Sequence, residues 1–381
     1  MPNTALDVRV RAAFRARATA AAVALGAQIF ATGTGLGVTL SLNAAYLGAL
    51  PCLLLGVVVA AAARRHLAKS LGKDCAAAGR GEACRPGARG MAERAASSGA
   101  VRLGILRAML CLLLLSCSAL LLSATAVFAS QILLPQAKVF SVVALTFAAA
   151  VICALSGGTG IARLAFAMRF VLPLGLAVFT LHALPPDFLA GLFPWLGTGA
   201  RPLALCALCL LGACAPVALL FLPPPECADA CALPGTWFFI WRVLLGGACG
   251  VLMLLAVSLC NTYETLAGLR VWGERMHIVS SSQPREGITH MLLALAQLAA
   301  LFIGGVSTLC AAEQAACCAL PALHRGRVGL GLCLLVLGVV LWLLTRWGMD
   351  WAFRAAPVLA LPLCAVLLLS LWLPGRRARD G

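Results

Sequence analysis

Long unbroken apolar runs constrain this chain more than any other feature. A helix needs roughly 20 apolar residues to cross a hydrocarbon core about 30 Å thick. Runs of that kind lie near 18–40, 44–63, 108–129, 139–156, 164–183, 203–222, 237–259, 290–310, 328–345 and 355–373. They are continuous, whereas the strands of a membrane β-barrel alternate over about ten residues. The pattern therefore predicts an all-α polytopic membrane protein, a bundle of about ten transmembrane helices. Composition agrees, because 62% hydrophobic against 11% charged residues leaves too little polar surface to face water on all sides.

Charge sets the expected orientation. With a cytosolic N-terminus, the ten runs place 20 of the 29 basic residues on the cytosolic side and seven on the other, the asymmetry that the positive-inside rule describes. The threading divides the chain into a basic cytosolic N-terminus (1–17), spans one and two (18–63), a flexible basic cytosolic loop (64–107) and spans three to seven (108–259). An outer or lumenal loop (260–289), spans eight to ten (290–373) and a cytosolic tail (374–381) complete it. The first run is longer than the core of a cleaved signal and is expected to be a retained anchor. Basic residues spread over helix ends match anionic lipid headgroups as partners, and they lack the aromatic interleaving and folded modules of a nucleic-acid binder.

Two outer segments carry interfacial chemistry. Tyr263, Trp272 and Met276 among the charges of 260–289 suggest a short amphipathic helix on the membrane surface. Pro185, Pro186, Phe188, Phe193, Pro194 and Trp195 make an aromatic turn between spans five and six, as expected at the headgroup level.

No catalytic constellation is legible. The sequence has no His-Glu-x-x-His zinc pair and no serine placed with the His182 and Asp187 of one outer turn. Neither enzyme activity, nor a metal, nor a cofactor is expected. Most of the 18 cysteines fall within spans, where cysteine serves as a small apolar residue. Cys206-x-x-Cys209 is placed in lipid without further ligands. Gly33 with Gly37, and Gly246 with Gly250, have the spacing that lets membrane helices approach closely. A charge or amide inside a span is costly and points to function, which singles out Arg169, Arg242, Gln28, Gln297 and Glu313 as candidates for an intramembrane polar path. Arg169 and Arg242 each lie about 8 Å from a helix end, near enough to snorkel to headgroups. Pro173, Pro216 and Pro357 are expected to loosen their helices.

The basic N-terminus leading into Ala18 to Leu40, the arginine-rich loop after Arg64-Arg65, the alanine-rich, lysine-poor composition and the closing Arg376-Arg377-Ala378-Arg379 resemble the multi-spanning envelope protein of alphaherpesviruses, the unique-long forty-three family. That family is distantly similar to equilibrative nucleoside transporters. The resemblance implies a non-enzymatic protein of the virion envelope and of host Golgi and plasma membranes. It would modulate glycoprotein-driven membrane fusion or virion maturation, with envelope glycoproteins as partners. The transporter likeness implies instead a facilitative carrier of nucleoside-like solutes in a transporter-like bundle.

Overall fold

The structure is a computed structural model that describes residues 4–78, 99–132, 136–168, 192–222, 234–260, 287–319 and 328–347, with isolated positions 134, 189, 361, 362, 364 and 365. The first helix, α1 (Thr4–Thr32), runs into a π-helical turn (Gly33–Gly37), a short α2 (Val38–Ser41), a 3-10 turn (Leu42–Ala44) and α3 (Ala45–Ala78). Next come α4 (Gly99–Ile132), α5 (Val139–Leu155), α6 (Gly158–Ala167) and α7 (Ala200–Leu210), which continues as a 3-10 helix (Leu211–Phe221). Helices α8 (Thr236–Cys260), α9 (Gly287–Ala319) and α10 (Val328–Trp347) follow. Among the described residues there is no strand.

Helix α1 is the axis of the bundle. Residues 18–38 are buried without interruption, and α6, α8, α9 and the 3-10 helix pack around it. Its alanines, among them Ala18, Ala21, Ala24 and Ala31, present little side chain and so admit neighbours on every side. The outer helices bury one stripe and expose the other, with Ile152 69% and Leu54 67% exposed. Such apolar surface is a liability in water and the expected face toward lipid.

Six stretches among the described residues are long and apolar enough to span a membrane: Arg11–Ala68, Gly104–Ser130, Ala200–Phe221, Thr236–Leu259, Leu295–Ala319 and Val328–Arg346. The first contains the two expected spans 18–40 and 44–63, which part at Leu42, where φ is 48°. Val139–Leu155 is apolar but, at 17 residues, shorter than any of these. The expected spans 164–183 and 355–373 lie largely outside the described residues.

The basic loop expected over 64–107 is shorter than its composition suggests. Helix α3 continues to Ala78 and α4 already begins at Gly99. The physical reason is that Arg, Lys, Leu and Ala are good helix formers, so the helix outlasts the apolar run and reaches Ala78. The outer loop after α8, with its expected amphipathic helix, lies outside the described residues.

Backbone breaks are satisfied locally. Thr34 Oγ1 donates to the Phe30 carbonyl at 2.8 Å, Thr39 Oγ1 to Gly35 at 2.5 Å and Ser41 Oγ to Gly37 at 3.0 Å. In lipid, carbonyls released from the α-helical ladder need such partners. The glycine-rich motif at 33–37 forms a π-helical turn that also packs closely, Gly33 against Leu254 of α8 and Gly37 against Ala45 and Cys206, and Gly246 and Gly250 make the other expected close approach.

The pairing of α4 with α10 brings Cys111 and Cys333 next to each other. In a background holding only these two cysteines, copper-phenanthroline oxidation is expected to join them as a disulfide, detectable by peptide mapping. Two free thiols after oxidation would show that the two helices pair otherwise.

Candidate functional site

The site grows out of one helix crossing. Helices α1 and α8 run side by side with Ala22 and Gly26 facing Gly246 and Gly250. A methyl group on Gly250 would sit 2.6 Å from the Gly26 carbonyl oxygen, so the backbones touch and only glycine fits. Helix α9 runs antiparallel beside them, with Gly304 against Ala24. Where the larger residues diverge from this contact, a cleft opens between α1, α8 and α9.

Thr19, Val23, Ala27 and Phe30 line the cleft from α1, Arg242, Leu245, Cys249 and Met253 from α8, and Gln297, Ala300 and Leu301 from α9. Its cavity volume is about 50 Å³. Arg242 is half-buried, and its guanidinium carbon lies 5.3 Å from the centre of the Phe238 ring, a cation–π distance. Gln297 is 4% exposed. Leu245, beside Arg242, is 53% exposed, which makes this end the mouth. The Thr19 hydroxyl donates to the Arg15 carbonyl at 2.9 Å.

Both ends of the bundle around α1 are tied by polar contacts. At the arginine-rich end, the Arg17 guanidinium donates to the Leu222 carbonyl at 2.5 Å and to Gln314 Oε1 at 2.6 Å. Arg107 Nη1 donates to the Cys318 carbonyl at 2.9 Å nearby. At the other end, Thr198 Oγ1 donates to the Leu40 carbonyl at 2.6 Å and Asn43 Nδ2 to the Pro194 carbonyl at 3.3 Å. Segment 194–199 therefore covers the break between α2 and α3. Phe193 and Trp195 beside it are 55% and 53% exposed and stack edge to face at 5.2 Å, as suits an interfacial anchor.

Of the five residues singled out from sequence, the structure brings Arg242 and Gln297 to one cleft. Gln28 is buried on another face of α1, beside Cys117 of α4. Its Oε1 and the Thr32 hydroxyl, one turn further along, have no hydrogen-bond partner among the described residues. Glu313 precedes Gln314 at the arginine-rich end, with Arg17 and Cys310 within electrostatic reach. Arg169 lies outside the described residues, as do His182 and Asp187. Sequence reasoning missed Arg17, which reads as one more basic residue of the N-terminus, and Thr19 and Cys249, which have no signature in an apolar run. Among the described residues no group of three His, Cys, Asp or Glu could hold a metal ion.

No protein-family model matches the sequence, and no curated protein does. Solved structures do: one mutant form of the Eremococcus coleocola manganese transporter matches at TM-score 0.55 with 14% identity, over 97% of this chain and 79% of that one. A second mutant form of that transporter matches at TM-score 0.54 with the same identity and coverage. Likeness at this identity is a likeness of fold, and with the apolar spans it makes this chain an all-α polytopic integral membrane protein with a transporter-like architecture.

Proposed function

We propose that this protein is a facilitative solute transporter whose cargo passes through the cleft between α1, α8 and α9. The observation that carries this reading is the cleft itself, an internal space beside the central helix holding a guanidinium and a buried amide in otherwise apolar walls. A polar group kept inside a membrane bundle is costly unless it serves a ligand or a path. The polar ties at both ends of the bundle suit a state in which neither side is fully open, and their rearrangement would expose the cleft in turn.

The cleft chemistry separates this cargo from that of the manganese transporters. Manganese prefers carboxylate, carbonyl and water oxygens, whereas the charged group among the described lining residues is Arg242 and none of them is a carboxylate. Among the described residues, no arrangement favours the fusion-modulating role that the viral resemblance implies.

Purified full-length protein in liposomes is expected to accelerate downhill uptake of at least one of labelled uridine, labelled octanoate and manganese ion over empty vesicles. For uridine or octanoate, Arg242→Gln should reduce that uptake about tenfold or more, as loss of a charge-assisted contact does. Rates equal to empty vesicles for all three would reject the transport reading for these classes.

A further inference from the structure

Thiols gather on the side of α1 that faces α4. Cys214 of the 3-10 helix lies next to Cys364, with Cys52 of α3 and Cys117 of α4 within electrostatic reach, and all four are buried. Nearer the arginine-rich end, Cys111 of α4 lies next to Cys333 of α10, with Cys317 of α9 within electrostatic reach. Cys111 stands about one turn beyond Arg107, which ties that end to the Cys318 carbonyl. Along α4, Cys111 and Cys117 are about 9 Å apart at 1.5 Å per residue, so the two groups follow one another from the end of the bundle toward its centre. Packing alone explains a single cysteine in a span. It does not explain Gln28, which lies beside Cys117 and whose Oε1 is buried with no hydrogen-bond partner among the described residues. The Thr32 hydroxyl, one turn along the same helix, is buried in the same condition. Acceptors desolvated in this way are costly, and a positive charge nearby relieves that cost.

We infer that Cys214 with Cys364, and Cys111 with Cys333, each bind one soft monovalent metal ion of the copper(I) class between two sulfurs. These pairs lie apart from the cleft and do not depend on the transport reading. Sulfur donors select soft ions. Zinc closes its structural sites with four ligands, whereas no group of three His, Cys, Asp or Glu among the described residues could hold a metal ion. Two adjacent thiols are then the donor set, and copper(I) is satisfied by two sulfurs in a line. On binding, the ion displaces one thiol proton, which leaves to water. One sulfur coordinates as thiolate and the other as neutral thiol, so one unit charge replaces another with no change of oxidation state. The net charge of the pair stays the same, which avoids the desolvation cost of a new charge inside the bundle. Half-buried Cys111 offers ions from the arginine-rich side a first pair, and the buried pair near Cys117 lies deeper.

The test uses the reduced full chain in detergent without oxygen, titrated with copper(I) held by the chromophoric chelator bicinchoninate. Serine keeps the size of cysteine and loses the soft donor. Cys214→Ser and Cys111→Ser should therefore each take up one copper(I) fewer than the parent, and the double variant two fewer, while Cys153→Ser takes up as many as the parent. Gln28→Leu should keep the stoichiometry and weaken binding at the Cys214 pair about tenfold. Silver(I), a redox-stable ion of the same class, should raise the thermal midpoint of the parent by several degrees more than that of the double variant. Where a serine variant loses its monodisperse size-exclusion peak, Cys364→Ser or Cys333→Ser removes the other sulfur of the same pair and should give the same deficit. A deficit at one pair alone keeps that pair and rejects the other. Copper(I) uptake equal to the parent's in folded variants of both pairs overturns the inference, and so does a zinc-dependent rise in the midpoint that the same variants abolish.

Discussion

Gly246→Leu is expected to prevent assembly of the bundle while leaving the chain inserted in the membrane. A Cβ at this position would lie 2.6 Å from the Ala22 carbonyl carbon and 2.7 Å from its Cα. The obstacle is backbone, so no rotamer change can clear it. Even the single methyl of Gly246→Ala should cost about 1–3 kcal/mol as overpacking. Four carbons would force α8 away from α1 and dismantle the cleft. Fluorescence-detected size exclusion should show loss of the monodisperse peak for Gly246→Leu and a lowered thermal midpoint for Gly246→Ala. Gly331→Leu is the control, since that glycine has open space around it, and it should behave as wild type. A Gly246→Leu protein with the wild-type midpoint would mean that α1 and α8 do not touch here.

Arg17→Met should open the arginine-rich end. The guanidinium joins α1 to the end of the 3-10 helix and to α9 through two hydrogen bonds. Charge-assisted bonds of this kind contribute about 1.5–3 kcal/mol each, and their loss removes one donor each from the Leu222 carbonyl and Gln314 Oε1 in a half-buried place. With Cys249 as the sole cysteine, an impermeant maleimide applied from the arginine-rich side should modify it several-fold faster in Arg17→Met than in the parent. Arg17→Lys, which keeps the charge but not the fork, should fall between them. Equal modification rates in all three, at equal expression, would remove Arg17 from the closure of this end.

These two residues show how unevenly structure is written in the chain. The spans were legible because apolar length is a direct physical requirement of the bilayer, and the crossing was half legible, since the spacing of Gly246 and Gly250 announces a close approach without naming its partner. Arg242 and Gln297 stood out because polar groups are conspicuous in apolar runs. Nothing in the sequence set Arg17 apart from Arg9, Arg11 and Arg15, because its distinction is the Leu222 carbonyl and Gln314 side chain that the fold brings to it. Gln28 shows the converse. It is as conspicuous as Gln297, yet α1 turns it toward Cys117 of α4 and away from the cleft.

The extent of the helices divides in the same way. The expected loop over 64–107 was drawn where apolar residues end, but helix propensity carried α3 on to Ala78. The run at 33–37 read as a packing motif, and the fold makes it both a π-helical turn and a close contact, with Gly33 against Leu254 of α8 and Gly37 against Ala45 and Cys206. By itself the sequence determined that this chain lives in a membrane as helices, since burying so much apolar surface and pairing every backbone group leave no other solution. Only the tertiary structure decided which helix is central, which two of the polar residues share a cleft and which arginine ties its end. Those outcomes depend on contacts between residues up to 297 positions apart, and apolar periodicity carries no record of them.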